Sequence, residues 1–227
     1  IRNKSVFNNI TGAMININRT ANYGIFHTFN TFTNQGTISI GSTNGVGDYG
    51  LYLAATFNNA TGSTLTINRA TLAGIFNAAG SSTNQAALTI GNLATVPGLI
   101  TGSTGTFSNN TGGLLKGSGT IAANVFASAG GTLSPGYSPG IMTFIGTENL
   151  SNNTINIEVN GSVNPGVDYD MIVGDNFTLG GTLALTFPYV GVPGDDITII
   201  SAGVITGTFA TITGLPVGWT ENYKHDS

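Results

Sequence analysis

The chain has 227 residues, no cysteine, 34 glycines and a net charge of −4, with charged residues at only 7% against 40% apolar residues. So little charge beside so much apolar content excludes a simple disordered chain, and the lack of cysteine excludes a disulfide framework or a thiolate metal site. Lys, Glu, Arg and Gln are too scarce for a helical protein, whereas Thr, Ile, Val and Phe punctuated by Gly and Asn describe many short strands joined by tight turns.

From the first residues a repeat runs through the chain. Asn9, Asn34, Asn59, Asn84 and Asn109 recur every twenty-five residues. Two positions before them stand Phe7, Phe32, Phe57, Ser82 and Phe107, and six after them Ile15, Ile40, Leu65, Ile90 and Leu115. Parallel series at such a period signal a solenoid, a propeller or an array. The match is best at fifty residues. Phe7-Asn8-Asn9-Ile10-Thr11-Gly12 is answered by Phe57-Asn58-Asn59-Ala60-Thr61-Gly62, and Phe107 to Lys116 is a decayed third copy. Between them lies a shorter form, Phe32-Thr33-Asn34-Gln35-Gly36, answered by Ser82-Thr83-Asn84-Gln85-Ala86. The unit is therefore two coils, one with a corner two residues longer than the other. A third segment completes each coil: Gly24-Ile25-Phe26, Gly50-Leu51-Tyr52, Gly74-Ile75-Phe76 and Gly98-Leu99-Ile100.

Three segments per coil give a triangular cross-section, with coils stacked in register as parallel strands ~4.8 Å apart. Parallel crossovers are overwhelmingly right-handed. The expected fold is all-β: a right-handed parallel β-helix of about 25 residues per coil, with residues 1–130 as solenoid and 131–227 as a β-rich continuation or cap. Ile-x-Ile alternation points both Ile side chains inward. The Asn series is expected at corners, where Asn tolerates a left-handed backbone, and as an in-register amide ladder. The Phe series reads as core. The column Phe26, Tyr52, Phe76 has two readings. It is either core, or an outward stripe that stacks on sugar rings or packs against a partner.

Past residue 114 the repeat fades. The run Leu133-Ser134-Pro135-Gly136-Tyr137-Ser138-Pro139-Gly140 follows. It resembles a segment found late in autotransporter-type passenger domains and related bacterial surface proteins. Ile155-Asn156-Ile157-Glu158-Val159-Asn160-Gly161, Asp168-Tyr169-Asp170-Met171-Ile172-Val173 and Gly180-Gly181-Thr182-Leu183 are similar to that family's later strands. The ending Gly214-Leu215-Pro216-Val217-Gly218-Trp219 looks more like secreted surface proteins of Bacteroidetes type. The resemblance implies a secreted or bacterial cell-surface, extracellular β-helix. The sequence has no β-barrel translocator after these strands, so self-export is not expected of this chain. It also has no run of about eighteen apolar residues that would make a transmembrane helix. With Ile1 in strand-like sequence, it reads as a processed product or an excised piece.

Charge is unevenly placed. Residues 1–147 hold Arg2, Lys4, Arg19, Arg69 and Lys116 against Asp48, about +4. Residues 148–227 hold Lys224 against Glu148, Glu158, Asp168, Asp170, Asp175, Asp195, Asp196, Glu221 and Asp226, about −8. The split reflects either two differently composed halves or head-to-tail attraction between copies. The acidic balance and the absence of a basic stripe disfavour nucleic acid as a partner. Acid–base cleavage of polysaccharides needs clustered carboxylates, and the repeat half has only Asp48. Asp168, Asp170 and Asp175 are the candidate hard-oxygen ligands for Ca²⁺, against a reading as turn and strand-edge carboxylates. No other cofactor is expected. The function expected first is a non-catalytic stalk or presentation scaffold in an adhesin-like protein. A self-assembling filament or sheath subunit comes second and a polysaccharide-active β-helix enzyme third. Expected partners are other copies, other surface proteins or glycans.

Overall fold

A computed structural model describes residues 1–91, 96–137 and 139–223; Ser138 of the Pro-Gly run and Lys224, His225 and Asp226 lie outside the described residues. The chain winds as a parallel β-solenoid of about 8 turns, about 25 residues and three strands per coil. Its strands form three parallel sheets of ten, six and nine strands, each one side of the triangle.

Face 1 opens with Arg2–Asn3 and continues through Tyr23–His27, Tyr49–Leu53, Ala73–Asn77, Gly98–Gly102, Gly119–Ala122, Ile141–Ile145, Met171–Thr178 and Ile200–Thr206. Face 2 stacks Phe7–Asn9, Thr31–Asn34, Thr56–Asn59, Ser81–Asn84, Thr106–Asn110 and Phe126–Ala129. Face 3 runs from Met14–Ile17 through Thr37–Ile40, Thr64–Ile67, Ala87–Ile90, Leu114–Gly117, Thr132–Pro135, Thr154–Glu158 and Thr182–Thr186 to Thr211–Thr213. Residues 131–213 thus extend faces 1 and 3. In this half the long strand Met171–Thr178 turns the corner between faces 1 and 2. Its second part pairs with Thr147–Asn149, Thr147 opposite Asn176.

Alternation sets the core. In Thr37–Ile40 and Thr64–Ile67 the apolar residues are buried and their neighbours are partly exposed. The fixed-spacing series Ile15, Ile40, Leu65, Ile90, Leu115 is not one column. Ile15 stacks on Ile38, then Leu65, Leu88 and Leu115, while Ile17 stacks on Ile40, Ile67 and Ile90. The longer corner is the cause. It takes two extra residues after Asn9, Asn59 and Asn109, with Gly12, Gly62 and Gly112 at φ +78, +80 and +86 in the left-handed region that glycine adopts freely. Steps along the first column therefore alternate between 23 and 27 residues.

The third segment also needs a correction. Gly98 pairs with Ala73 and Ile100 with Ile75, so Gly98-Leu99-Ile100 lies one place out of line with Gly74-Ile75-Phe76. Sterics explain the shift. A Cβ on Gly24 would lie 2.7 Å from Ile40 Cγ2, and on Gly50 2.5 Å from Ile67 Cγ2; Gly74 faces Ile90 in the same way. Each inward glycine on face 1 makes room for an isoleucine of face 3. In the next coil the sizes exchange. Leu99 is buried where the glycine was, and Gly117 stands where the isoleucine was, with its would-be Cβ 3.0 Å from Leu99 Cδ2. Large and small swap sides, and the cross-section stays filled.

Candidate functional site

The polar interior of the first five coils is an amide ladder at the corner between faces 2 and 3. Asn9, Asn34, Asn59, Asn84 and Asn109 are all buried. Nδ2 of each of the first four donates to Oδ1 of the next at 2.8 Å. The other N–H donates to the carbonyl opening the next face-3 strand: Thr37, Thr64, Ala87, Leu114 and, from Asn109, Thr132, at 3.0–3.3 Å. The first four amides thus tie their coil to the next by side chain and by backbone, and Asn109 does so by backbone. The ladder has one polarity, because all its N–H groups point toward the C-terminal coils.

On face 1 the column Phe26, Tyr52, Phe76 points outward and is half-buried, while Ile25, Leu51 and Ile75 beside it are fully buried. The reading as core does not hold. The rings satisfy one another instead. Phe26 stacks on Tyr52 at 4.8 Å and Tyr52 on Phe76 at 5.4 Å, with interplanar angles of 22° and 19°. Tyr23 and Tyr49 add a second stacked pair at 5.9 Å. The Arg2 guanidinium lies 5.4 Å from the Phe26 centroid, and Thr101 follows Phe76 in register. Ring faces are therefore turned toward neighbouring rungs and ring edges toward solvent. A sugar stacks on ring faces, so this column offers it little.

The three candidate calcium ligands are not brought together. Asp170 is buried and accepts from the amides of Gly140 at 2.7 Å and Glu158 at 2.8 Å. Asp168 accepts from the Asn164 amide at 2.9 Å, and Asp175, exposed on its strand, accepts from the Gly146 amide at 2.7 Å. Each carboxylate satisfies backbone N–H groups of its own turn or of a neighbouring coil. Among the described residues no group of three or more His, Cys, Asp or Glu is placed to hold a metal ion.

Sequence reasoning missed two buried ionisable groups. Glu148 is 5% exposed. It pairs in register with Phe177, so it occupies a core position, and its carboxylate accepts from the Ser128 amide at 2.9 Å. Burial pushes its pKa up to about 7, with the Ser128 bond opposing. Asp170 is pushed up to about 6 by burial, against the bonds from Glu158 and Gly140. Glu148 stands between Thr147 and Asn149, so no apolar pattern marked it, and the broken period hid which face it took. The second group is His27, fully buried at the inner end of its strand. Nε2 lies 3.3 Å from the Asn30 carbonyl and Nδ1 3.0 Å from Asn3 Nδ2. This fits a neutral ring donating from Nε2, and burial lowers its pKa.

At the C-terminal end the last coil leaves a cavity of about 320 Å³, lined by apolar residues including Leu183, Leu185, Phe187, Ile212 and Trp219. It is the inside of the terminal rung. Comparison with known proteins finds no matching family, no matching curated protein and no matching solved structure.

Proposed function

We propose that this chain is a non-catalytic structural segment of a secreted or cell-surface, adhesin-like protein, serving as a stalk or presentation scaffold. The observation that carries the reading is where the buried polar groups go. The five asparagines of the repeat bond coil to coil, and Asp170, just before strand Met171–Thr178, accepts from the backbone amide of Glu158 on another strand. Such a chain is built for length and stiffness. Antibodies raised against the folded chain should label intact, unpermeabilised cells as scattered projections. Labelling only after permeabilisation would overturn the reading.

The charge split favours a second reading, a filament or sheath subunit. Five of the six cations of the sequence lie in residues 1–147 and nine of its ten carboxylates in 148–227. Opposite charge on different parts of one chain steers copies together, more strongly at low salt. Continuous fibres on the same cells would select this reading over scattered projections. Cleavage of an acidic glycan in a panel assay would select the polysaccharide-active reading over both.

A further inference from the structure

The core of faces 1 and 2 is mostly apolar along its inner columns, with His27 near the N-terminal end and a second break further on. On face 2, Phe7 lies 4.8 Å from Phe32 and Phe32 4.9 Å from Phe57. Further along, Phe107, Phe126, Phe144 and Phe177 continue at 6.5, 5.9 and 5.7 Å. Between the two runs stands Ser82, in register with Phe57 on one side and Phe107 on the other. A hydroxymethyl group thus replaces a benzyl ring in the middle of an aromatic stack.

The neighbouring column breaks in the same coil. At the inner end of the face-1 strands, Leu53 pairs with Asn77. Asn77 is 0% exposed and Ser82 1%. Neither Oδ1 nor Nδ2 of Asn77, nor Oγ of Ser82, has a hydrogen-bond partner among the described residues. The two columns adjoin around the corner, as the contact between the His27 and Phe32 rings at 5.8 Å shows two coils earlier. Asn77 leans toward the following coil, where a Cβ on Gly105 would lie 2.6 Å from its Cγ. Ser82 faces Phe107 of that same coil. One coil earlier the equivalent pair is Leu53 and Phe57, both fully buried and apolar.

A buried amide and a buried hydroxyl left without partners each cost kcal/mol-scale desolvation. Two such groups occur in the one coil that has lost a ring's volume. Polar, roomy interior sites with two or more otherwise unsatisfied groups are where proteins hold structural water. We infer that Asn77 and Ser82 form an internal hydration site, holding one or a small number of long-lived waters between their coil and the next. The ligand is water rather than an anion or a metal, because the walls supply two neutral groups and no formal charge. The water held there donates to Asn77 Oδ1 and accepts from both Asn77 Nδ2 and Ser82 Oγ, which satisfies all three atoms.

The test compares the full chain with Asn77→Leu/Ser82→Phe, which copies the Leu53/Phe57 pair into this coil. Magnetic relaxation dispersion counts long-lived internal waters in both, and water–amide cross-relaxation is read at the Asn77 side chain. The expected result is a count lower by at least one in the double variant, with an unchanged β circular dichroism spectrum and a higher melting temperature. A count that is the same in both proteins overturns the inference. If the double variant does not fold, the cross-peak between water and the Asn77 amide in the unaltered chain decides alone. Its absence overturns the site, and its presence, diminished in Ser82→Ala, supports it.

Discussion

At the scale of single residues, the interior polar groups give the sharpest expectations. Asn59 receives a hydrogen bond from Asn34 and from Ser63, and donates to Asn84 and the Ala87 carbonyl. Asn59→Ala leaves buried donors short of partners and should cost about 1–3 kcal/mol; an unchanged denaturant midpoint would remove the ladder from the stability account. Ile67→Asp places an unpaired charge in a stacked apolar column, at a cost of at least several kcal/mol, and should yield no folded protein by circular dichroism. Glu148 sets a pH dependence. Its folded pKa is raised to about 7 from the ordinary 4.5, so the native state holds more protons than the unfolded chain between those values. Stability contributed by the protonated group is complete below the unfolded pKa and is lost as pH rises through the folded one, on the order of 3 kcal/mol in all. Buried His27, with its lowered pKa, works in the opposite sense below pH 7, so the difference between proteins is the measurement. Glu148→Gln should flatten the fall in melting temperature between pH 5 and pH 8. Parallel curves for the two proteins would show that Glu148 is not the group responsible.

At the scale of elements, two exchanges of size decide how coils fit. Gly50 and Gly74 on face 1 admit Ile67 and Ile90 from face 3, and Leu99 with Gly117 reverses the arrangement. Gly74→Leu alone should therefore be strongly destabilising. Adding Ile90→Gly, which rebuilds the Leu99/Gly117 pair one coil lower, should recover part of the loss in melting temperature. No recovery would mean that the two positions do not share volume. The coil period and the Ile-x-Ile faces were legible because the first five coils keep one residue type at one spacing. The Ile-x-Ile pairs gave the columns, whereas the fixed twenty-five-residue series crossed between them, because a corner is two residues longer in alternate coils. The second half was harder still. Its steps along face 3, from Leu115 to Leu133, Ile155, Leu183 and Ile212, vary between 18 and 29 residues, so no fixed period could align them. Asp168 and Asp170 stand only two residues apart in sequence, yet they diverge because residues 165–169 form a turn between two bridges rather than a strand. The interruption at Ser82 was visible in the sequence as a missing Phe; that it coincides with a buried Asn77 required the register.

At the scale of the molecule, a solenoid contacts mainly its own neighbours, and its stability is nearly a sum over rungs and rung interfaces. The final rung encloses the cavity beside Trp219, and Trp219 packs on Phe187 at 4.9 Å. This is the chain's single tryptophan. Its fluorescence should report a lower unfolding midpoint than far-ultraviolet circular dichroism, which sees every coil. Coincident transitions would show that the stack melts as one unit. Removing residues 131–227 would cut through the sheets rather than remove a separate cap, leaving parallel strand edges open at the last remaining coil. That fragment should aggregate, and a monodisperse folded 1–130 chain would refute this.

The alternation of long and short corners has a genetic consequence. Because like corners recur only at every second coil, the heritable module is the pair, and the length of the rod becomes a matter of copy number. A second copy of residues 7–56 inserted after Thr56 would present Asn34 to Asn9 and Thr56 to Phe7 as the native chain presents Asn34 to Asn59 and Thr56 to Phe57. Each such duplication lengthens the particle by two rungs, ~10 Å, and keeps the corner lengths in their native order, although on face 1 Leu53 would meet His27 in place of Asn77. Insertion of a single coil would set two corners of like length together and interrupt the alternation of 23- and 27-residue steps. A gene that grows by fifty codons at a time is a ruler whose graduations are written in its corners.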